Sequence, residues 1–223
     1  MARGLFIAGT DTNVGKTYVA AAIARSLRDA GVAVGVYKPA ASGCRWVEGR
    51  LVSDDATTLW NAAGRPESLE AVCPQVFAAP LAPHLAARAE GRELDWDRMR
   101  DGVRFWESLC EVLLVEGAGG YLSPLGDDAY VADLAMECAF PLVLVAPNVL
   151  GAINQTLQTV FVVRHYRGGL PIAGIVVNDP RLPAEPDPSR NSNVAEIARR
   201  AGVPIVTTLA HGGGGFSPPV EWV

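Results

Sequence analysis

The run Gly9-Thr10-Asp11-Thr12-Asn13-Val14-Gly15-Lys16-Thr17 sets a lysine and a hydroxyl at the end of a glycine-containing loop. Apolar Leu5-Phe6-Ile7-Ala8 precedes it and reads as a buried strand. Tyr18-Val19-Ala20-Ala21-Ala22-Ile23-Ala24 follows it and reads as a helix. A strand, such a loop, Gly-Lys-Thr and a helix together make a phosphate-binding loop. Backbone N–H groups of the loop and of the helix N-terminus point at anionic oxygens, and the helix dipole favours negative charge there. Lys16 reaches terminal phosphates in such an arrangement, and the Thr17 hydroxyl suits Mg²⁺. The usual pattern is Gly, four residues, then Gly-Lys-Ser/Thr. Here Thr10 holds the first glycine position and Gly9 lies one residue earlier.

Further polar residues close other apolar runs. Tyr37-Lys38-Pro39 ends a second strand and leads into Ala40-Ala41-Ser42-Gly43. A lysine there shares the sheet edge of the phosphate loop and is placed to meet a phosphoryl group in transfer or an anionic intermediate. Ser53-Asp54-Asp55-Ala56 opens a helix. One of its carboxylates complements the helix dipole, and the other is a candidate Mg²⁺ ligand. Val112-Leu113-Leu114-Val115 ends at Glu116, where nucleoside triphosphatases hold Mg²⁺. The following Gly117-Ala118-Gly119-Gly120 lets backbone approach a ligand closely. Asn178-Asp179 ends another strand, either as a turn or with Asn178 reading a base edge. Asn148-Val149-Leu150-Gly151-Ala152-Ile153-Asn154 joins a strand to a helix whose N-terminus is a second anion site or an ordinary connection.

The elements that must carry these residues alternate. Strands are predicted over Leu5–Ala8, Val32–Tyr37, Val112–Glu116, Leu142–Ala146, Ile172–Asn178 and Pro204–Thr207. Helices are predicted over Thr17–Ala30, Ser53–Ala63, Asp95–Leu109, Tyr130–Glu137, Ala152–Tyr166 and Asn191–Ala201. Gly31 and Gly202 stand where C-caps are wanted, and Asp95 and Ser192 where N-caps are wanted. Unbroken Val/Ile/Leu runs are those of strands covered on both faces. The expectation is one α/β domain over residues 1–223, a three-layer phosphate-loop fold with a mainly parallel central sheet and helices on both faces. Residues 72–83 read as a long ordered loop and 179–190 as a mobile one. The glycine-rich tail from His211 has little to hold it in one conformation.

Several functional classes are disfavoured by composition. Of 223 residues 49% are hydrophobic, enough for a sizeable core, and the net charge of -5 leaves no general nucleic-acid footprint. No run is long and apolar enough to span a membrane, and Met1-Ala2-Arg3-Gly4 leads straight into the first strand, so a cytoplasmic protein without a signal peptide is expected. Cys44, Cys73, Cys110 and Cys138 show no paired spacing. With His84, His165 and His211 equally scattered, reduced structural cysteines are expected rather than a zinc site.

In their order these motifs resemble the dethiobiotin synthetase family. The matching pieces are Gly-Thr-Asp-Thr-x-Val-Gly-Lys-Thr at 9–17, Tyr-Lys-Pro-x-Ala-Ser-Gly at 37–43, Asp55-Ala56, Pro83-His84, Val-Glu-Gly-Ala-Gly-Gly at 115–120, Leu-Gly-x-Ile-Asn at 150–154 and Asn178-Asp179. The likeness runs to about Val206. It implies ATP-dependent closure of a ureido ring on 7,8-diaminononanoate with CO₂, through a carbamate and a carbamic-phosphoric anhydride, by a homodimer. It implies Thr12, Lys16 and Lys38 as catalytic groups. Asn13, Val14, Gly15, Lys16, Thr17 and Tyr18 would hold ATP, with Glu116, Gly117, Ala118 and Gly119 lining its phosphates. Asn178 would read adenine, with Asp179 beside it. Thr17, Asp55 and Glu116 would surround Mg²⁺. Ser42, Gly151 and Asn154 would contact the diamine substrate, the last two from the partner subunit. Asn13 departs from the acidic or small residues common there, and the glycine-rich tail has no family counterpart. Partition or septum-positioning ATPases share the fold but need a second lysine early in the loop, where this chain has Gly9-Thr10-Asp11. A cobyrinate-type amidase needs a glutaminase domain for which 223 residues leave no room.

Overall fold

A computed structural model of the chain describes residues 3–180, 185–204, 206–218 and 220–222. Its elements are β1 (Arg3–Gly9), α1 (Lys16–Asp29), β2 (Val34–Tyr37), β3 (Ala40–Ala41), β4 (Arg45–Val47), β5 (Arg50–Val52), α2 (Asp54–Ala62), α3 (Leu69–Val72), β6 (Gln75–Val76), α4 (Pro83–Ala89), α5 (Trp96–Glu107), β7 (Val112–Gly120), α6 (Val131–Cys138), β8 (Leu142–Pro147), α7 (Ala152–His165), β9 (Ile172–Asn178), α8 (Asn193–Ala201), β10 (Val206–Leu209) and β11 (Phe216–Ser217). Seven strands form the central sheet in the order β11-β10-β9-β8-β1-β7-β2. All its neighbours are parallel except β10 and β11.

Consecutive residues of β1, β2, β7 and β8 are buried. Neighbouring side chains in a strand point to opposite faces, so both faces of the sheet are covered. This is the layered α/β fold that the unbroken apolar runs predict. The chain steps from β1 to β2 on one side, inserts β7 between them, then continues to β8 on the other side of β1. Ligands in such sheets collect at that reversal, beyond the carboxyl ends of the strands. Gly15, Lys38 and Glu116 all lie there.

Local signals behave unevenly. Asp95 caps α5, its carboxylate accepting from the Arg98 N–H at 2.9 Å. Gly202 closes α8 in the left-handed region at φ 57°. Ser192 stands at the N-cap of α8, but its hydroxyl donates to the Ser189 carbonyl instead of accepting from the helix. The last central parallel strand is displaced from the predicted Pro204–Thr207 to Val206–Leu209, with residue 205 outside the described residues. Residues 181–184 of the expected mobile loop also lie outside them. Within 72–83, β6 pairs with β3, so the long loop contains a short strand. The tail is tied down more than its glycines suggest. β11 pairs with β10, the Tyr18 hydroxyl donates to the Gly213 carbonyl at 2.7 Å, and Phe216 meets the buried Trp222 edge to face. One apolar cluster fills most of the molecule, and a satellite of Phe77, Ala86 and Ala87 gathers under α4.

Candidate active site

Lys38 is the first residue after β2, and its backbone N–H is held by the Val72 carbonyl at 2.8 Å. The residue is 4% exposed. The ammonium donates to Asp55 Oδ2 at 2.9 Å and to Glu116 Oε1. Asp55 comes from the first turn of α2, which Ser53 caps by accepting from the Ala56 N–H. Its neighbour Asp54 turns outward to Arg45 of β4. The two acids therefore divide, Asp54 facing the surface and Asp55 facing Lys38. Glu116 is buried within β7, opposite Ile7 of β1, and also accepts from the Thr17 hydroxyl at 2.8 Å. Its second oxygen, Oε2, is buried with no partner.

Burial opposes the charge of Lys38, but the two carboxylates outweigh it and hold the ammonium's pKa above the ordinary lysine range. Burial likewise works against Asp55 ionising, and Lys38 overcomes it, keeping the carboxyl below the usual range. Lys16 follows the opposite course. Burial and the nearby Lys38 charge lower it from 10.5 to about 8. Among the described residues its ammonium has one hydrogen-bond partner, the Asp11 carbonyl at 3.3 Å.

The loop around Lys16 is shaped by backbone. Gly15 adopts φ 92°, and a Cβ there would collide with the Asn178 amide. Asn13 lies at φ 59°, a left-handed conformation that Asn tolerates, which accounts for this residue in the loop. No side chain caps α1 and no acid stands in its first turn, so its N–H groups face the cavity unpaired with carboxylate. Tyr121 N–H to Gly9 and Thr10 N–H to Val145 fix the loop between β7 and β8.

Beyond the strand ends these groups enclose a cavity of about 410 Å³. Lys16, Thr17, Lys38, Asp55 and Glu116 line its charged part; Thr12, Asn13, Gly15 and Tyr18 form the loop side; Ala41, Ser42, Ala118 and Gly119 close it opposite. Two cations, two carboxylates and an uncapped helix end converge on a space large enough for a triphosphate.

Known proteins decide the family. Residues 3–211 match the AAA domain family. The chain is 41% identical over 220 residues to the ATP-dependent dethiobiotin synthetase BioD of Rhodopirellula baltica, covering 94% of this chain and 84% of that one. It is 50% identical over 198 residues to the protein of the same name from Anaeromyxobacter dehalogenans strain 2CP-C, covering 88% and 85%. This chain belongs to the dethiobiotin synthetase family. Among solved structures, the ParA family ATPase of Chlorobium tepidum superposes with a TM-score of 0.56 at 16% identity, covering 94% of this chain and 84% of that one. The chloroplast FtsY of Physcomitrella patens gives 0.53 at 16%, covering 99% and 62%. At such identities these two share the synthetase's fold and nothing finer.

Some predicted site residues of this synthetase lie outside the cavity lining. Val14 is buried and offers its carbonyl to the Asn178 amide nitrogen at 2.9 Å. Gly117 faces inward, where a Cβ would meet Val131 and Phe6. Asn178 is fully buried, and its Oδ1 has no partner. Asp179 pairs with Arg190 at 2.7 Å. Gly151 and Asn154 are exposed at the start of α7, away from the lysines. Sequence reading missed Ala41, whose signal is its place in the run from Tyr37 to Gly43. It also missed Ser123, whose hydroxyl accepts from the Gly120 N–H at 2.8 Å. No local spacing announces that contact.

Proposed function

We propose that this chain closes the ureido ring of dethiobiotin from 7,8-diaminononanoate, CO₂ and ATP. The observation that carries the reading is the buried Lys38 ammonium, bracketed by Asp55 and Glu116 in the same cavity as the phosphate-loop Lys16. A nucleotide-binding module has no need of that second cation.

The phosphate loop binds and orients the triphosphate through Lys16, the Gly15–Tyr18 backbone and the uncapped end of α1. A substrate amine takes up CO₂ as a carbamate. The carbamate oxygen attacks the γ-phosphorus, the bond to the β-phosphate oxygen breaks, and ADP leaves. The second amine then attacks the carbonyl carbon, loses its proton and expels phosphate as the ring closes. Lys38 and Lys16 offset the negative charge gathered at the anhydride, and Thr12 sits at the mouth to orient it. Ser42 contacts the diamine at the opposite wall. Asn178 Oδ1 is an acceptor suited to the amino group of adenine.

The donors present fit Mg²⁺. The Thr17 hydroxyl, Asp55 and Glu116 are hard oxygens, Glu116 Oε2 is a buried acceptor without a partner, and one or two carboxylates are what this ion takes alongside phosphates. When bound, it would supply charge neutralisation across the β- and γ-phosphates. No helix among the described residues is long and apolar enough to cross a membrane, and we place the enzyme in the cytoplasm. A homodimer is supported by apolar residues left exposed on and before α7, Leu150 at 82% and Phe161 at 63%. In that dimer Gly151 and Asn154 serve the partner's substrate. The test is incubation with diamine, bicarbonate, Mg²⁺ and ATP followed by mass spectrometry. Dethiobiotin that requires the diamine and vanishes in Lys38→Ala supports the reading. Folded, ATP-binding protein that makes none removes it.

A further inference from the structure

Pro83-His84 is a sequence motif that the reaction above leaves without a task. His84 stands in the first turn of α4, half-buried, with Nδ1 3.1 Å from the Pro124 carbonyl. A carbonyl can only accept, so Nδ1 carries the proton. One turn later, Arg88 pairs with Asp127 at 2.8 Å. α4 packs on the satellite cluster of Phe77, Ala86 and Ala87, outside the main core. These two contacts tie the satellite to the 121–130 segment.

That segment grips the backbone that directly follows Ala118 and Gly119, which line the lysine cavity. Ser123 is adjacent to Pro124 and grips Gly120 twice. Its hydroxyl accepts from the Gly120 N–H at 2.8 Å, and its own N–H donates to the Gly120 carbonyl at 3.0 Å. Its carbonyl also receives the Val131 N–H at 2.9 Å at the start of α6. Gly119 has φ 78°, and a Cβ on it would collide with Ser123 Oγ and touch the Thr12 hydroxyl. Ser123 and Thr12 therefore both adjoin Gly119, and the grip of Ser123 on Gly120 fixes the backbone directly after it.

We propose that His84 is a positioning residue, holding the Ala118–Gly120 wall at the distance from Lys16 and Lys38 that the transferring phosphoryl group requires. The chain of contacts runs from His84 to Pro124, from Ser123 to Gly120, and so to Gly119. Its kinetic consequence rests on the synthetase reading; its structural consequence does not. The bond uses Nδ1, and the amide of Asn reaches the same position that Nδ1 occupies, so His84→Asn keeps the contact and His84→Ala removes it.

Amide hydrogen exchange of the ligand-free chain reads the N–H groups of Gly120, Ser123, Leu125 and Val131. In His84→Ala their exchange should rise about tenfold, the scale of one ordinary hydrogen bond. The kcat for dethiobiotin should fall by a similar factor while the KM for ATP moves less than about twofold, because the wall, unlike the phosphate loop, acts mainly after binding. His84→Asn should return both quantities to near the wild-type values. Unchanged exchange in His84→Ala overturns the proposal. So does an Asn variant no better than Ala, since that assigns the imidazole another role. If the wild-type chain makes no dethiobiotin, the synthetase reading fails, and the exchange comparison still decides whether His84 holds the wall.

Discussion

The two ends of the cavity are built on opposite electrostatic principles. At the β2 end, Lys38 is buried with its charge already answered by Asp55 and Glu116. At the phosphate-loop end, Lys16 is buried and, among the described residues, bonded to a peptide carbonyl alone, at 3.3 Å. One ammonium is answered by two carboxylates of the protein and the other by a peptide oxygen. Their pKa directions follow, raised for Lys38 and lowered to about 8 for Lys16. Lys38 thus belongs to the permanent architecture of the site, while Lys16 keeps binding energy in reserve for triphosphate.

The largest effect should come from breaking the answered end. Lys38→Met leaves Glu116 buried beside an apolar chain, and stranding one partner of such a pair costs about 3–5 kcal/mol. Turnover should fall by roughly a thousandfold or more as the cation facing the anhydride is lost. Denaturant unfolding checks the first effect and product formation the second. Adding Glu116→Gln should recover most of the stability and none of the activity. Lys16→Met should behave in reverse. Its removal relieves a poorly compensated charge, so stability holds or rises, while ATP affinity drops by roughly a hundredfold or more, as for a lost buried charge pair. A Lys16→Met chain that unfolds as readily as Lys38→Met would erase the distinction.

Titration sharpens the same contrast without mutation. Lys16 in the folded, ligand-free chain loses its proton near pH 8, before an unfolded lysine does at 10.5. Below about pH 8 both states are charged and the full cost of burial is present. Between about pH 8 and 10.5 the unfolded state binds more protons, so Lys16 makes stability rise with pH there. Triphosphate selects the ammonium, so ATP affinity should weaken about tenfold for each pH unit above 8. Calorimetric titrations from pH 7 to 10 would show it, and a constant affinity across that range would remove the assigned state of Lys16. Lys38, raised above 10.5, contributes stability that is lost only as pH rises through its higher folded value, so it stays silent across this window.

How far the sequence discloses each end differs for physical reasons. β1, the loop and α1 are contiguous, and buried strand, glycine, lysine and helix follow one another in the order that local sterics require. Lys38, Asp55 and Glu116 were each legible as polar residues ending a strand or opening a helix. Their mutual pairing was not, because residues 78 apart, Lys38 and Glu116, meet only through insertion of β7 between β1 and β2. The short elements fared worst. β4 and β5 are three residues each, β4 exposed and β5 mostly part-buried, α4 has seven, and neither length allows a period to show. The brace at His84 was visible as a motif and unreadable as a contact, since its partner is a backbone carbonyl 40 positions away.

The smallest effects separate two neighbouring carboxylates. Asp54 and Asp55 are consecutive in the first turn of α2, and one helical step turns a side chain by about 100°. That step sends Asp54 to the exposed Arg45 and Asp55 to the buried Lys38. Asp55 is itself half-exposed at 50%, so solvent screens part of its attraction. Asp55→Asn should therefore cost less than about 1 kcal/mol of stability while Glu116 still holds Lys38. It should lower turnover by about tenfold, because an amide neither balances the ammonium nor serves a cation at the phosphates. Asp54→Asn should leave the melting temperature and turnover at their wild-type values, since exposed pairs contribute little. If the two variants instead lose activity equally, the turn of α2 does not partition the two acids, and the negative charge around Lys38 would have to be assigned to Glu116 alone.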